Sequence, residues 1–170
     1  VHDYPLLDNS KTPGELISIK YPMAGQASEQ AKIGIFNLKN QKTTYLDIDT
    51  SDEHYLTNLS WTPDEKYVLV AEINRGQNHV WYNKYSVATG KKVNTLFEET
   101  NDKWTEPEHD AVFLPNSTTN FLWFSERDGF MNLYHYTTDG ELVKQLTKFD
   151  WVVTGVLGFD EKGKNVFITG

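Results

Sequence analysis

A chain of 170 residues, 14% of them aromatic, can bury a core of its own, and the absence of cysteine excludes disulfides, thiolate metal sites and a cysteine nucleophile. A formal charge of −8 argues against nucleic acid as a partner, because phosphate recognition needs clustered Lys and Arg. No apolar run approaches the roughly 20 residues that a membrane-spanning helix requires, and nothing at the start reads as a signal peptide.

Residues 1–25 carry Pro5, Pro13 and Pro22 and read as an extended arm containing one strand, over 15–21. A hairpin follows, with strands over 31–38 and 43–48 and a turn at Asn40-Gln41-Lys42, and 26–49 is taken as a partial blade. The segment 55–99 predicts four strands joined by tight turns: an alternating run to Trp61, a nearly continuous apolar run over 66–73, an alternating run over 79–87, and a closing strand over 92–98. The same order recurs in 110–148, with strands over 111–114, 120–125, 131–136 and 141–147. A last pair, 152–158 and 164–169, starts another unit over 152–170.

The units share a marker, an aromatic followed by small or polar turn residues and then a β-rich run. It begins at Trp61, Phe113 and Phe159, spaced 52 and 46 residues apart. Repeats of about 40–50 residues with four strands each are the mark of propeller blades. No window keeps a helical apolar period. The fold class predicted is all-β, a partial β-propeller of about three four-stranded antiparallel blades. A generic antiparallel sandwich is the alternative, but it explains the four-strand repetition less well. A propeller is a closed ring, so three blades are expected to be part of something larger.

None of the eight serines lies in Gly-x-Ser-x-Gly, the sharp turn that presents the nucleophile in α/β-hydrolases, so no catalytic residue is assigned. The histidines, His2, His54, His79, His109 and His135, form no His-x-His or His-x-x-x-His pair, so neither a metal site nor a cofactor is predicted. Glu106-Pro-Glu-His-Asp110 crowds three carboxylates and an imidazole into five residues. It reads either as a solvated inter-blade loop or as an acidic loop at a propeller mouth that attracts an ammonium group. Arg127-Asp128 reads as a charged hairpin tip with Gly129 supplying a positive φ, and Asp64 as a turn former. Trp61, Trp81, Phe121, Trp123 and Tyr134 read as packing between blades.

The run from Ser125 through Glu126, Arg127, Asp128, Gly129, Phe130, Asn132, Leu133 and Tyr134 to Tyr136, with Gly140, Gln145-Leu-Thr147, Lys148 and Trp151-Val-Val-Thr-Gly155, closely resembles the propeller of dipeptidyl peptidase IV in the prolyl oligopeptidase clan. Tyr21-Pro-Met-Ala-Gly25 is similar to the opening of a mid-propeller blade there. The resemblance covers essentially all of 1–170. It implies an eight-bladed propeller followed by a C-terminal α/β-hydrolase domain that removes Xaa-Pro or Xaa-Ala dipeptides by a serine mechanism. This segment would gate and help bind the peptide substrate, and alone it would be inactive. The paired glutamates that hold the substrate's amino group in the family lie upstream of Val1. Glu98-Glu99 lacks their surrounding sequence, receives no such role, and leaves the substrate-binding residues unassigned. In the family an extended hairpin near residues 1–24 joins a homodimer interface; residues 1–24 read equally as that contact or as a floppy end, and exposed blade faces would also favour a homo-oligomer. A periplasmic or cell-envelope location is the expectation. The rival reading is a stand-alone propeller-like scaffold for protein partners, without catalysis.

Overall fold

A computed structural model of the chain describes residues 2–27 and 29–170. Every regular element among them is an antiparallel β-strand. The chain divides into two compact units, residues 1–30 and 31–170.

The first unit is a hairpin rather than an arm with one strand. β1 (His2–Asp8) pairs with β2 (Glu15–Tyr21) from His2 opposite Tyr21 to Asp8 opposite Glu15. Pro5 made 1–8 look irregular in sequence. A two-stranded ribbon gives each strand a free edge, where the missing N–H of proline is tolerated. Asp8 starts the turn by accepting from the Ser10 amide at 2.9 Å and the Ser10 hydroxyl at 2.6 Å. One face of the ribbon carries Tyr4, Leu6, Ile17, Ile19 and Tyr21, all exposed.

The second unit opens with the hairpin β3 (Gly34–Asn37) and β4 (Lys42–Tyr45). Two four-stranded meanders follow. The first comprises β5 (His54–Trp61), β6 (Tyr67–Asn74), β7 (His79–Ser86) and β8 (Lys92–Thr100). The second comprises β9 (Val112–Phe113), β10 (Asn120–Ser125), β11 (Asn132–Thr137) and β12 (Leu142–Gln145). The hairpin β13 (Gly155–Phe159) and β14 (Val166–Thr169) closes the unit. The all-β, partial-propeller reading holds, with two complete blades flanked by two-stranded pieces.

β6 is apolar along most of its length because both of its faces are covered. Val68 and Val70 point to one side, against Leu46, Tyr85, Ile33 and Ile35. Leu69, Ala71 and Ile73 point to the other, into the seam between the two blades. That seam is aromatic. Tyr82 lies 4.3 Å from Trp123 and Phe97 lies 4.3 Å from Tyr136, ring centre to ring centre. Phe121 and Trp123 are buried almost completely, each worth about 2–3 kcal/mol in transfer from water. Of the five aromatics assigned to packing, Phe121, Trp123 and Tyr134 fill this seam. Trp61 does not: it stands on the edge strand β5, 45% exposed, beyond a bulge between Thr57 and Ser60 where Asn58 takes a positive φ. Trp81 instead stacks on His79 at 3.8 Å.

The blade repeat is also written in glycine. Gly90, between β7 and β8, and Gly140, between β11 and β12, both have positive φ. A Cβ at Gly90 would sit 2.1 Å from the Tyr45 carbonyl oxygen of β4, and one at Gly140 would sit 2.3 Å from that of Leu96 in β8. Each turn thus lies on the backbone of the preceding sheet, a close approach that only glycine allows.

Candidate functional site

In an antiparallel meander the β6–β7 turn, the β10–β11 turn and the segment leaving β8 share one end of the sheets. A cavity of about 190 Å³ opens there, across the seam of the two blades. One wall is the end of β8 and the following segment, with Glu98, Glu99, Trp104, Glu106 and Pro107. The other is the end of β10 and its turn, with Phe124, Ser125, Glu126, Arg127 and Met131.

The first wall is fixed by its backbone. The Asn101 amide donates to the Asn78 carbonyl at 3.0 Å and the Thr105 amide to the Gln77 carbonyl at 2.7 Å, which lays 101–105 along the β6–β7 turn. Further on, Asn58 Nδ2 donates to the His109 carbonyl at 2.7 Å, the Ala111 amide donates to Ser60 Oγ at 3.1 Å, and the His109 ring stacks on Phe124 at 4.0 Å. Glu106 lines the cavity, whereas Glu108 and Asp110 face solvent. Trp104 stands on the rim, 65% exposed. Glu98 Oε2 lies 2.7 Å from His79 Nε2.

Arg127 stands in the hairpin turn as its sequence suggests, but it is more than a charged tip. Its side chain folds back into the seam. Nε donates to Ser125 Oγ at 3.0 Å, Nη1 to the Tyr136 hydroxyl at 2.6 Å, and Nη2 to Glu99 Oε1 at 2.5 Å, with the guanidinium 4.3 Å from the centre of the Tyr134 ring. Glu99 also accepts from Trp123 Nε1 at 2.9 Å and from Ser125 Oγ at 2.9 Å. Both of its oxygens are engaged, and it reaches from the end of one blade into the next. Burial opposes the charge on Arg127, but Glu99 and Tyr136 outweigh it and hold the guanidinium above its ordinary pKa. Burial likewise pushes the Tyr134 hydroxyl up to about 12. Gly129 has the positive φ expected of it. Sequence reading left Trp104, Glu99 and Arg127 without a site role. The only signal for the last two was an acidic pair closing one unit and an arginine in the second turn of the next.

Asp128 works in the scaffold beneath. It accepts from Gln145 Nε2 at 2.5 Å and Asn132 Nδ2 at 3.3 Å. Burial raises its pKa and these bonds lower it, with a net fall below the usual carboxylate value. Asn132, fully buried, accepts from Thr147 Oγ1 at 2.9 Å and from the Phe149 amide at 3.0 Å. Phe149 stacks on Trp151 at 4.3 Å, and Val153 is buried against Leu122 and Leu133. The residues that carry the family resemblance, Asp128, Asn132, Gln145, Thr147 and Trp151, thus build the joint between β10–β11 and the strand that follows. Asp64 likewise accepts from Thr62 Oγ1 at 2.7 Å in its turn. The five histidines are dispersed: His2 in β1, His54 bonded to the Asp52 carbonyl, His79 on Trp81, His109 on Phe124, and His135 bonded to Asn120 at 2.8 Å. Among the described residues, no three His, Asp or Glu side chains gather as metal ligands.

The family model of the dipeptidyl peptidase IV (DPP IV) N-terminal region matches residues 1–170. A crystal structure described as a "putative dipeptidyl aminopeptidase IV" from Bacteroides ovatus superposes with a TM-score of 0.87 at 38% identity, covering 99% of this chain and 26% of that one. Porphyromonas gingivalis dipeptidyl peptidase 4 shares the fold, with a TM-score of 0.75 at 23% identity over 96% of this chain and 23% of its own. The rat protein named inactive dipeptidyl peptidase 10 is 26% identical over 160 residues, 86% of this chain and 20% of its own length. The chain therefore spans a fifth to a quarter of the relatives it matches. With a match from end to end and a propeller-type fold, the chain belongs to the DPP IV N-terminal region family.

Proposed function

We propose that this chain is the propeller segment of a serine exopeptidase that releases N-terminal Xaa-Pro or Xaa-Ala dipeptides, and that it gates and helps bind the peptide. The observation that carries this reading is the family match over residues 1–170. The close superposition with the Bacteroides ovatus protein supports it. The catalytic serine, aspartate and histidine then belong to an α/β-hydrolase domain elsewhere in the full-length protein. The two-stranded pieces β3–β4 and β13–β14 complete blades with strands from the same protein. The cavity suits peptide binding, because it sits at the end of the sheets where the inter-blade segment runs, and Glu98, Glu106 and Glu126 give it an acidic lining that attracts a peptide ammonium. The apolar ribbon face of β1–β2 suits a homo-oligomer contact, and the periplasm or cell envelope is the proposed location.

Mass spectrometry of the full-length protein with peptides bearing Xaa-Pro or Xaa-Ala at a free N-terminus tests this. Release of the dipeptide, abolished by N-terminal acetylation, is expected. Cleavage of acetylated and free peptides alike would refute the exopeptidase reading. A second reading, a binding scaffold without catalysis, is favoured by one observation: the rat relative carries the word inactive in its name. Intact peptides after incubation with the full-length protein would support it.

A further inference from the structure

The two blades β5–β8 and β9–β12 are fastened by a cation at each end of their seam. At the end away from the cavity, Lys84 of β7, its side chain 7% exposed, donates to the Thr138 carbonyl and lies 3.3 Å from Asp139 in the β11–β12 turn. At the cavity end, Arg127 joins Glu99. The two fasteners differ in what they hold. Lys84 joins strand to turn within the packed seam. Glu99 lines one cavity wall and Arg127 lines the other, so their bond joins the two walls directly.

The cavity-end fastener is also over-determined. Three guanidinium N–H groups are bonded to three different residues, one aromatic ring lies beneath, and the Glu99 carboxylate is held independently by Trp123 and Ser125. A planar fork in so many fixed contacts has one orientation rather than several. The segment carrying Trp104 and Glu106 follows Glu99 by only a few residues and has few side-chain anchors of its own, being held by the amides of Asn101 and Thr105.

We propose that Arg127 is a positioning residue that sets the separation of the two cavity walls, so that the cavity meets its peptide preformed rather than closing around it. This rests on the peptide-binding reading above. A ligand entering a preformed site need not order the loop it touches, and the saving appears as affinity.

The test compares Arg127→Met and Lys84→Met in the full-length protein. Both remove a seam cation, but only the first removes the bond between the two cavity walls. Arg127→Met is expected to raise KM for free N-terminal peptides about tenfold with kcat changed by less than about twofold, because it loosens binding and leaves the chemistry alone. Lys84→Met is expected to leave KM at the wild-type value. Hydrogen–deuterium exchange of the unliganded protein supplies the second readout. Arg127→Met should speed exchange in 101–107 and 126–131, and Lys84→Met should not. Equal KM changes in the two variants, or exchange in 101–107 unchanged by Arg127→Met, would overturn the proposal, since the bond would then be one more seam contact. Absence of peptide cleavage by the wild-type full-length protein would count against the function instead, and the exchange comparison would still decide the role of Arg127.

Discussion

Replacing Gly140 by alanine measures how closely one blade lies on the backbone of the next. Two effects oppose the substitution. The residue has φ +94°, and an alanine held there costs about 1–3 kcal/mol. Its Cβ would also sit 2.3 Å from the Leu96 carbonyl oxygen, inside the 3.0 Å that real Cβ contacts respect, and the obstacle is backbone that no rotamer change can move. The turn must back away from β8, which loosens Leu96 in the aromatic seam and adds a further overpacking cost of about 1–3 kcal/mol. Gly129 supplies the control. Its φ is +105°, close to that of Gly140, but nothing lies within 4 Å of its Cβ position, so Gly129→Ala bears the strain alone. In urea denaturation followed by tryptophan fluorescence, Gly140→Ala should lose about 3–4 kcal/mol and Gly129→Ala about 1–2 kcal/mol. Equal losses would refute the close-approach argument and leave backbone strain as the whole effect.

Glu99→Gln leaves the half-buried Arg127 without its carboxylate and should lower stability by about 2 kcal/mol, read as a shift in urea midpoint at constant slope. Phe121→Ala empties a fully buried site between the blades and should cost about 3–5 kcal/mol in the same assay. Asp128 predicts a pH effect of definite sign. Its folded pKa lies below its ordinary 3.8, so its contribution is complete above that value and is lost as pH falls through the folded pKa. The urea midpoint should therefore fall less steeply below about pH 4 in Asp128→Asn than in the wild type, and parallel curves would contradict the assignment.

The blade order was legible because each four-strand unit announces itself locally. Val68 to Ala71 form an unbroken apolar run that only a doubly covered strand explains, and Thr62-Pro-Asp and Thr138-Asp-Gly mark turns by their own chemistry. The β1 strand was not legible, because Pro5 interrupts its pattern and its partner, not its own residues, makes it a strand. The contacts of Arg127 were not legible for a related reason. A charged residue in a hairpin turn is ordinarily solvated, and nothing near it in sequence reveals a carboxylate 28 residues earlier that draws it inward. Glu106 and Trp104 line or rim the cavity only because the amides of Asn101 and Thr105 dock on the β6–β7 turn, a backbone arrangement without a side-chain signature. The residues carrying the family resemblance proved legible for the opposite reason. Asp128, Asn132, Gln145 and Thr147 bond to one another across a single joint, so that joint is written in side chains.

The proposal to be tested most directly is that this propeller segment serves a peptidase whose chemistry lies elsewhere in the same protein. The most direct measurement follows chromophore release from a Gly-Pro-linked substrate by the full-length protein and, in parallel, by residues 1–170 alone. The account predicts steady release by the full-length protein, blocked by a serine-directed inhibitor, and none by the segment. A full-length protein that leaves the substrate intact would contradict it.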